Sequence, residues 1–137
     1  MRGFAAGLGL AAIALVSMRL GAVGAQEDAS KPEYYTAKVK PIFEANCGMC
    51  HMGENHKGGL RIDTRAGLMK GGRDGAVIVP GDPANSLLVK LIRHEGPDED
   101  PMPMPPMKPK ISDEDIAVIT AWVKAGAAMP PDPPANQ

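Results

Sequence analysis

Cysteine is almost missing from this 137-residue chain: Cys47 and Cys50 are its only two. A disulfide framework is therefore excluded, and with no cysteine before Cys47 a bacterial lipid anchor has nothing to modify. Aromatic residues are equally scarce, at two Phe, two Tyr and one Trp. So little bulk suggests a small core that looks incomplete without a cofactor, since small domains bury a modest fraction of their surface. No basic run is present, which argues against nucleic acid. Nor does any uncharged run reach the ~20 residues that span a bilayer.

What is present begins with a leader. Arg2 gives a positive start, residues 3–18 form an uncharged run of sixteen rich in Ala, Leu and Gly, and Val23-Gly24-Ala25 offers small residues for cleavage. Residues 1–25 read as a signal peptide, or as an uncleaved membrane anchor in which Arg19 snorkels. Export implies a bacterial periplasm. The remaining 112 residues suffice for one domain, expected over 26–129, with a flexible tail at 130–137 that holds four prolines. With 13 basic and 16 acidic residues, the mature chain carries about −3.

Both cysteines fall in Cys47-Gly48-Met49-Cys50-His51, the C-x-x-C-H of covalent haem attachment. Residues three and four apart share one face of a helical turn, so both sulfurs and the imidazole can address one ligand. The thiols would form thioethers with the haem vinyl groups, and His51 would bind the iron from the proximal side. A thioredoxin-like pair would need a βαβ context that is not seen here. Structural zinc wants four closed ligands, and His56 and His94 stand at no recognised spacing. A Cys47–Cys50 disulfide is the plainest alternative.

Three helices are expected. The first opens near Ser30-Lys31-Pro32 and carries Tyr35, Val39, Ile42 and Phe43 toward the motif, with Pro41 set to bend or interrupt it. The second starts around Asn85-Ser86, with Leu87, Leu88, Leu91 and Ile92 as its apolar stripe. The third is capped by Ser112, led by Asp113, Glu114 and Asp115, lined by Ile116, Ile119 and Val123, and stopped by Gly126. Trp122 belongs with core packing or against a haem. Between the first two helices, residues 58–63 and 76–81 read as short strands or loops. Arg61, and less so Arg65 and Arg73, are candidate partners for haem propionates.

Residues 97–109 hold six prolines and three methionines. A methionine thioether suits haem iron opposite histidine and raises the potential. Packing on the core is the plainer role for most of them. In polyproline geometry, which repeats every ~3 residues, Met104 and Met107 share a side and Met102 faces away. Only one sulfur can take the iron, with His56 and His94 as rivals. Glu95, Asp98, Glu99 and Asp100 precede this loop as a solvated acidic patch or a docking surface for a basic partner.

The order Val39-Lys40-Pro41-Ile42-Phe43, the C-x-x-C-H motif, Gly59-Leu60-Arg61-Ile62-Asp63-Thr64, Val79-Pro80-Gly81, Ser86-Leu87-Leu88, Met104-Pro105-Pro106, Ile111-Ser112 and Trp122 resembles the planctomycete-type cytochrome c domain. The resemblance implies a mainly α, cytochrome c-like fold around one covalent haem c, and it implies that Met104 is the distal iron ligand. An extra Met102-Pro103 departs from the pattern. The expected function is one-electron transfer between periplasmic redox proteins, with no enzyme activity of its own. Cys47 and Cys50 would tether the haem, His51 and Met104 would ligate its iron, and the Pro80 carbonyl is the candidate acceptor for the imidazole's other nitrogen. The alternatives are a haem subunit of a periplasmic dehydrogenase complex, or an open-site haem peroxidase or gas sensor.

Overall fold

The computed structural model describes residues 27–96 and 103–134. The leader, Asp98, Glu99, Asp100, Met102 and residues 135–137 lie outside the described residues. Helix α1 occupies residues 32–46 as three fused pieces: Pro32–Tyr34, a π-turn Tyr35–Val39, and Lys40–Asn46. Then come α2 (Gly48–His51), α3 (Arg65–Lys70), α4 (Leu87–Ile92) and α5 (Asp113–Lys124). The fold is mainly helical, as the sequence implies.

Pro41 shapes α1 without ending it. Its ring carries no N–H and would press on a carbonyl one turn back. The turn before it is widened, so that the Lys40 N–H reaches the Tyr35 carbonyl five residues away. The helix continues through the proline and delivers Phe43 and Cys47 to the next turn, where the Cys47 N–H bonds the Phe43 carbonyl at 2.8 Å.

Helix α5 follows its local signals closely. The Ser112 hydroxyl accepts the Asp115 N–H at 3.0 Å, and three acidic residues sit at the positive end of the dipole. Ile116, Ile119, Trp122 and Val123 form its buried face. Its end is a Schellman turn. Gly126, at φ 108°, donates to the Val123 carbonyl, and Ala127 reaches back to Trp122 at 2.9 Å. That reversal brings the Ala128 carbonyl to the indole N–H of Trp122 at 2.8 Å and buries Met129.

The aromatic residues compensate for their scarcity by meeting. The Tyr35 and Trp122 ring centroids lie 5.5 Å apart, and Phe43 meets Trp122 edge-on at 6.0 Å. This trio joins α1 to α5, and Val39, Leu68, Val89, Ile92 and Ile119 close the core around it. Trp122 is fully buried, so core packing is its role. The buried side of α4 is Leu88, Val89 and Ile92, whereas Leu87 and Leu91 are only half-buried.

Burial, assisted by the charges of Glu44, Asp63 and Asp132, pushes the Tyr35 phenol from 10 up to about 12. The unfolded chain releases this proton near pH 10, while the folded chain holds it to about 12. The stabilisation is therefore complete below pH 10 and lost as pH rises through that window, at roughly 1.4 kcal/mol per pH unit. Thermal melts of the wild type and Tyr35→Phe across that window should show a shallower decline for the variant. Equal slopes would show that this phenol does not govern alkaline stability.

The segments between α1 and α4 differ from the strand expectation. Among the described residues the one β feature is an isolated bridge between Gly72 and Gly75. The reason lies in the hydrogen bonds. Ile62 donates to His51, Arg73 to Gly58, Gly81 to Val123, and Leu88 to Val77, so these segments are tied to helices and turns rather than to each other. Gly58 and Gly59 also take positive φ, which breaks an extended run. Ser86, buried and polar, accepts the Val79 N–H at 2.9 Å and donates to the Asp82 carbonyl at 2.8 Å.

The tail is docked at least as far as Asp132. Its carboxylate accepts the N–H groups of Arg65 and Ala66, at 2.5 and 2.8 Å, at the start of α3. Orphan helix donors draw a carboxylate there.

Candidate functional site

The motif cysteines and histidine sit on α2, a single turn that directly continues α1. The N–H groups of Cys50 and His51 both bond the Cys47 carbonyl, at 3.1 Å each, which winds the five residues into one turn. A glycine suits the second position, because a Cβ on Gly48 would stand 3.2 Å from the Met52 sulfur. Cys47 and Cys50 are both free and half-buried. Burial pushes the Cys47 thiol up to about 11, with the nearby Lys108 charge pulling the other way and Cys50 adding to the rise. A reactive thiol needs a lowered pKa, and Cys47 moves the other way. Among the described residues, no three or more His, Cys, Asp and Glu side chains are grouped to hold a bare ion, and the closed donor set of structural zinc is not assembled there.

His51 is oriented by backbone. Its Nδ1 lies 3.2 Å from the Leu60 carbonyl. A carbonyl only accepts, so this contact calls for the tautomer protonated on Nδ1, the one whose Nε2 keeps its lone pair for a ligand. The acceptor is thus Leu60, not Pro80. Residues 60–63 run back along α2, where the Ile62 N–H bonds the His51 carbonyl at 3.0 Å. Proximity to the motif therefore favoured this segment over the Val79-Pro80-Gly81 turn, which is tied to α5 through the Gly81 N–H.

The methionine loop is bent, not extended. Residues 104–108 form bends and a turn, so the shared side expected for Met104 and Met107 in polyproline geometry does not exist. Met107 has φ 57° and is fully exposed, so it does not pack on the core. Met104 is half-buried against the core, and its N–H bonds the Leu91 carbonyl at 3.2 Å. The end of α4 therefore fixes where Met104 stands. His56 and His94 are both exposed.

Arg61 forks onto Asp63, with Nε at 2.6 Å and the terminal nitrogen at 3.3 Å. The same carboxylate accepts the Gly53 N–H at 3.1 Å. Burial raises the Asp63 pKa, but these bonds outweigh it and hold the group below the usual carboxylate value. The Leu60 carbonyl escaped sequence reasoning because a backbone acceptor has no residue identity. Asp63 was findable, since an Arg-x-Asp spacing just beyond the motif is a visible signal.

Cys47, Met52, Leu60 and Met104 together are half-buried apolar groups packed against the core. Two thiols and an imidazole on one turn, beside apolar groups that the core leaves half-covered, are chemistry that fits a covalent haem. No curated protein and no solved structure matches the chain. Residues 47–108 match the family model described as Planctomycete cytochrome C, which meets the resemblance carried by the motifs with a family match of its own.

Proposed function

We propose that this protein carries single electrons in the periplasm through one covalent haem c ligated by His51 and Met104. The haem, when bound, supplies a reversible ferrous–ferric couple. Every other part of the task falls to the chain. Cys47 and Cys50 tether the group by two thioethers, so it cannot dissociate between partners. His51 binds through Nε2 while the Leu60 carbonyl holds the Nδ1 proton, which fixes the ring and raises its basicity. Met104, held through its backbone by Leu91, offers a soft sulfur that favours the ferrous state. Arg61, beside Leu60 in the chain, is the candidate for a propionate, alongside its Asp63 pairing.

The observation that carries this reading is the His51 geometry, a protonated Nδ1 on a backbone carbonyl in a turn shared with both thiols. The reading places redox donor and acceptor proteins in the periplasm as partners. Haem staining after denaturing electrophoresis, followed by carbon monoxide titration of the reduced protein, tests it. A stained band with slow or absent carbon monoxide binding is expected. Rapid stoichiometric binding at neutral pH would instead identify an open iron site, suited to peroxide or gas chemistry.

A further inference from the structure

Residues 60–63 make alternate contacts along the attachment turn. The Leu60 carbonyl takes the His51 Nδ1 proton, the Ile62 N–H bonds the His51 carbonyl, and the Asp63 carboxylate takes the N–H of Gly53 just past the turn. In two of these contacts residues 60–63 contribute main-chain groups, which do not depend on their side-chain identity. The third depends on one side chain, and Asp63 is itself fixed by the Arg61 fork at 2.6 Å. The Asp63 side chain is 27 % exposed and that of Arg61 43 %, so the fork alone is a surface pair of small stabilising value. Its geometry has a more specific consequence. Without the Gly53 contact, the segment keeps its bonds to His51, the Leu60 N–H bond to Lys57 and the Tyr35 hydroxyl on the Ile62 carbonyl, but Asp63 loses its tie to the chain leaving α2.

We propose that Asp63 is a positioning residue for the proximal ligand: by clamping Gly53 and Arg61, it holds the Leu60 carbonyl against the His51 imidazole and so tunes the electron affinity of the site. The proposal rests on the His51 ligation reading above. Its direction follows from the hydrogen bond. A firm Nδ1–H bond to Leu60 makes Nε2 a stronger donor and favours the ferric state. Loosening it favours the ferrous state.

The test uses the haem-loaded full-length protein and the variants Asp63→Ala, Asp63→Asn and Ser112→Ala. Covalent haem is first checked by denaturing electrophoresis; a wild type without it would sink the ligation reading and leave the clamp geometry untouched. Loaded proteins are then compared by redox titration and thermal melts. Asp63→Ala should raise the ferrous-to-ferric ratio at fixed ambient potential by about three- to ten-fold, the effect of one ordinary hydrogen bond. Asp63→Asn loses the same charge but keeps an oxygen for the Gly53 N–H, and should recover most of the wild-type ratio. Ser112→Ala removes a helix cap far along the chain; it should lower the melting temperature without moving the ratio. Equal shifts for Asp63→Asn and Asp63→Ala would overturn the proposal, because lost charge alone would then be the cause. An unmoved ratio in Asp63→Ala with a lower melting temperature would overturn it too, since Asp63 would then be merely structural.

Discussion

Serine at both Cys47 and Cys50 should abolish covalent haem and leave a weakly folded protein. The first part follows from chemistry, because a serine hydroxyl does not add to a vinyl group as a thiol does. The second follows from where apolar surface is left. Tyr35, Phe43 and Trp122 hold α1 to α5 by themselves, but Cys47, Met52, Leu60 and Met104 are only half-buried against that core. Fully burying one such side chain contributes about 1.5–3 kcal/mol. Four half-covered ones therefore forgo roughly 3–6 kcal/mol, which reaches the lower end of the ~5–15 kcal/mol that holds an entire domain together. Haem staining should be lost completely. Circular dichroism should show residual helix with a much lower and broader melt. A variant that melts like the wild type would show that the core does not need the covered face. Retained staining would move the attachment away from this motif.

The sequence spoke most clearly where structure is decided locally. Ser112, the acidic triplet, the apolar spacing and Gly126 each act within one turn of their neighbours, and α5 was legible from end to end. The C-x-x-C-H motif was legible for the same reason, since five adjacent residues wind into one turn. Pro41 was harder. Its effect depended on whether the preceding turn could widen, and the π-turn absorbed what a bend was expected to take. The segments at 58–63 and 76–81 were bounded by turn residues as short strands are, but a strand needs a partner in register. Their hydrogen bonds went to His51, Val123 and α4 instead. Long-range polar contacts were the least visible. Neither Asp132 at the start of α3 nor the Leu60 carbonyl on His51 leaves a mark in local pattern, because each is set by how distant segments pack.

Replacing Met104 with alanine should bring the largest change in electron affinity. Of the two described methionines in the loop, Met104 is half-buried and tied by its backbone to the end of α4, whereas Met107 points into solvent from a left-handed backbone. A side chain already half-buried and held through its backbone would lose little entropy on binding a metal. Met107 would first have to abandon its exposed conformation. With Met104 gone, water, Lys108, His94 or His56 would take the sixth position, all harder ligands than a thioether. The reduction potential should fall by a sizeable part of the roughly 0.8 V range that axial ligands command, and the red-end charge-transfer band of methionine-ligated ferric haem should vanish. Met107→Ala and Met102→Ala should keep both the band and the potential. If Met104→Ala retains the band and either of the others loses it, the iron is bound by a different sulfur, and the half-buried position of Met104 then belongs to core packing alone.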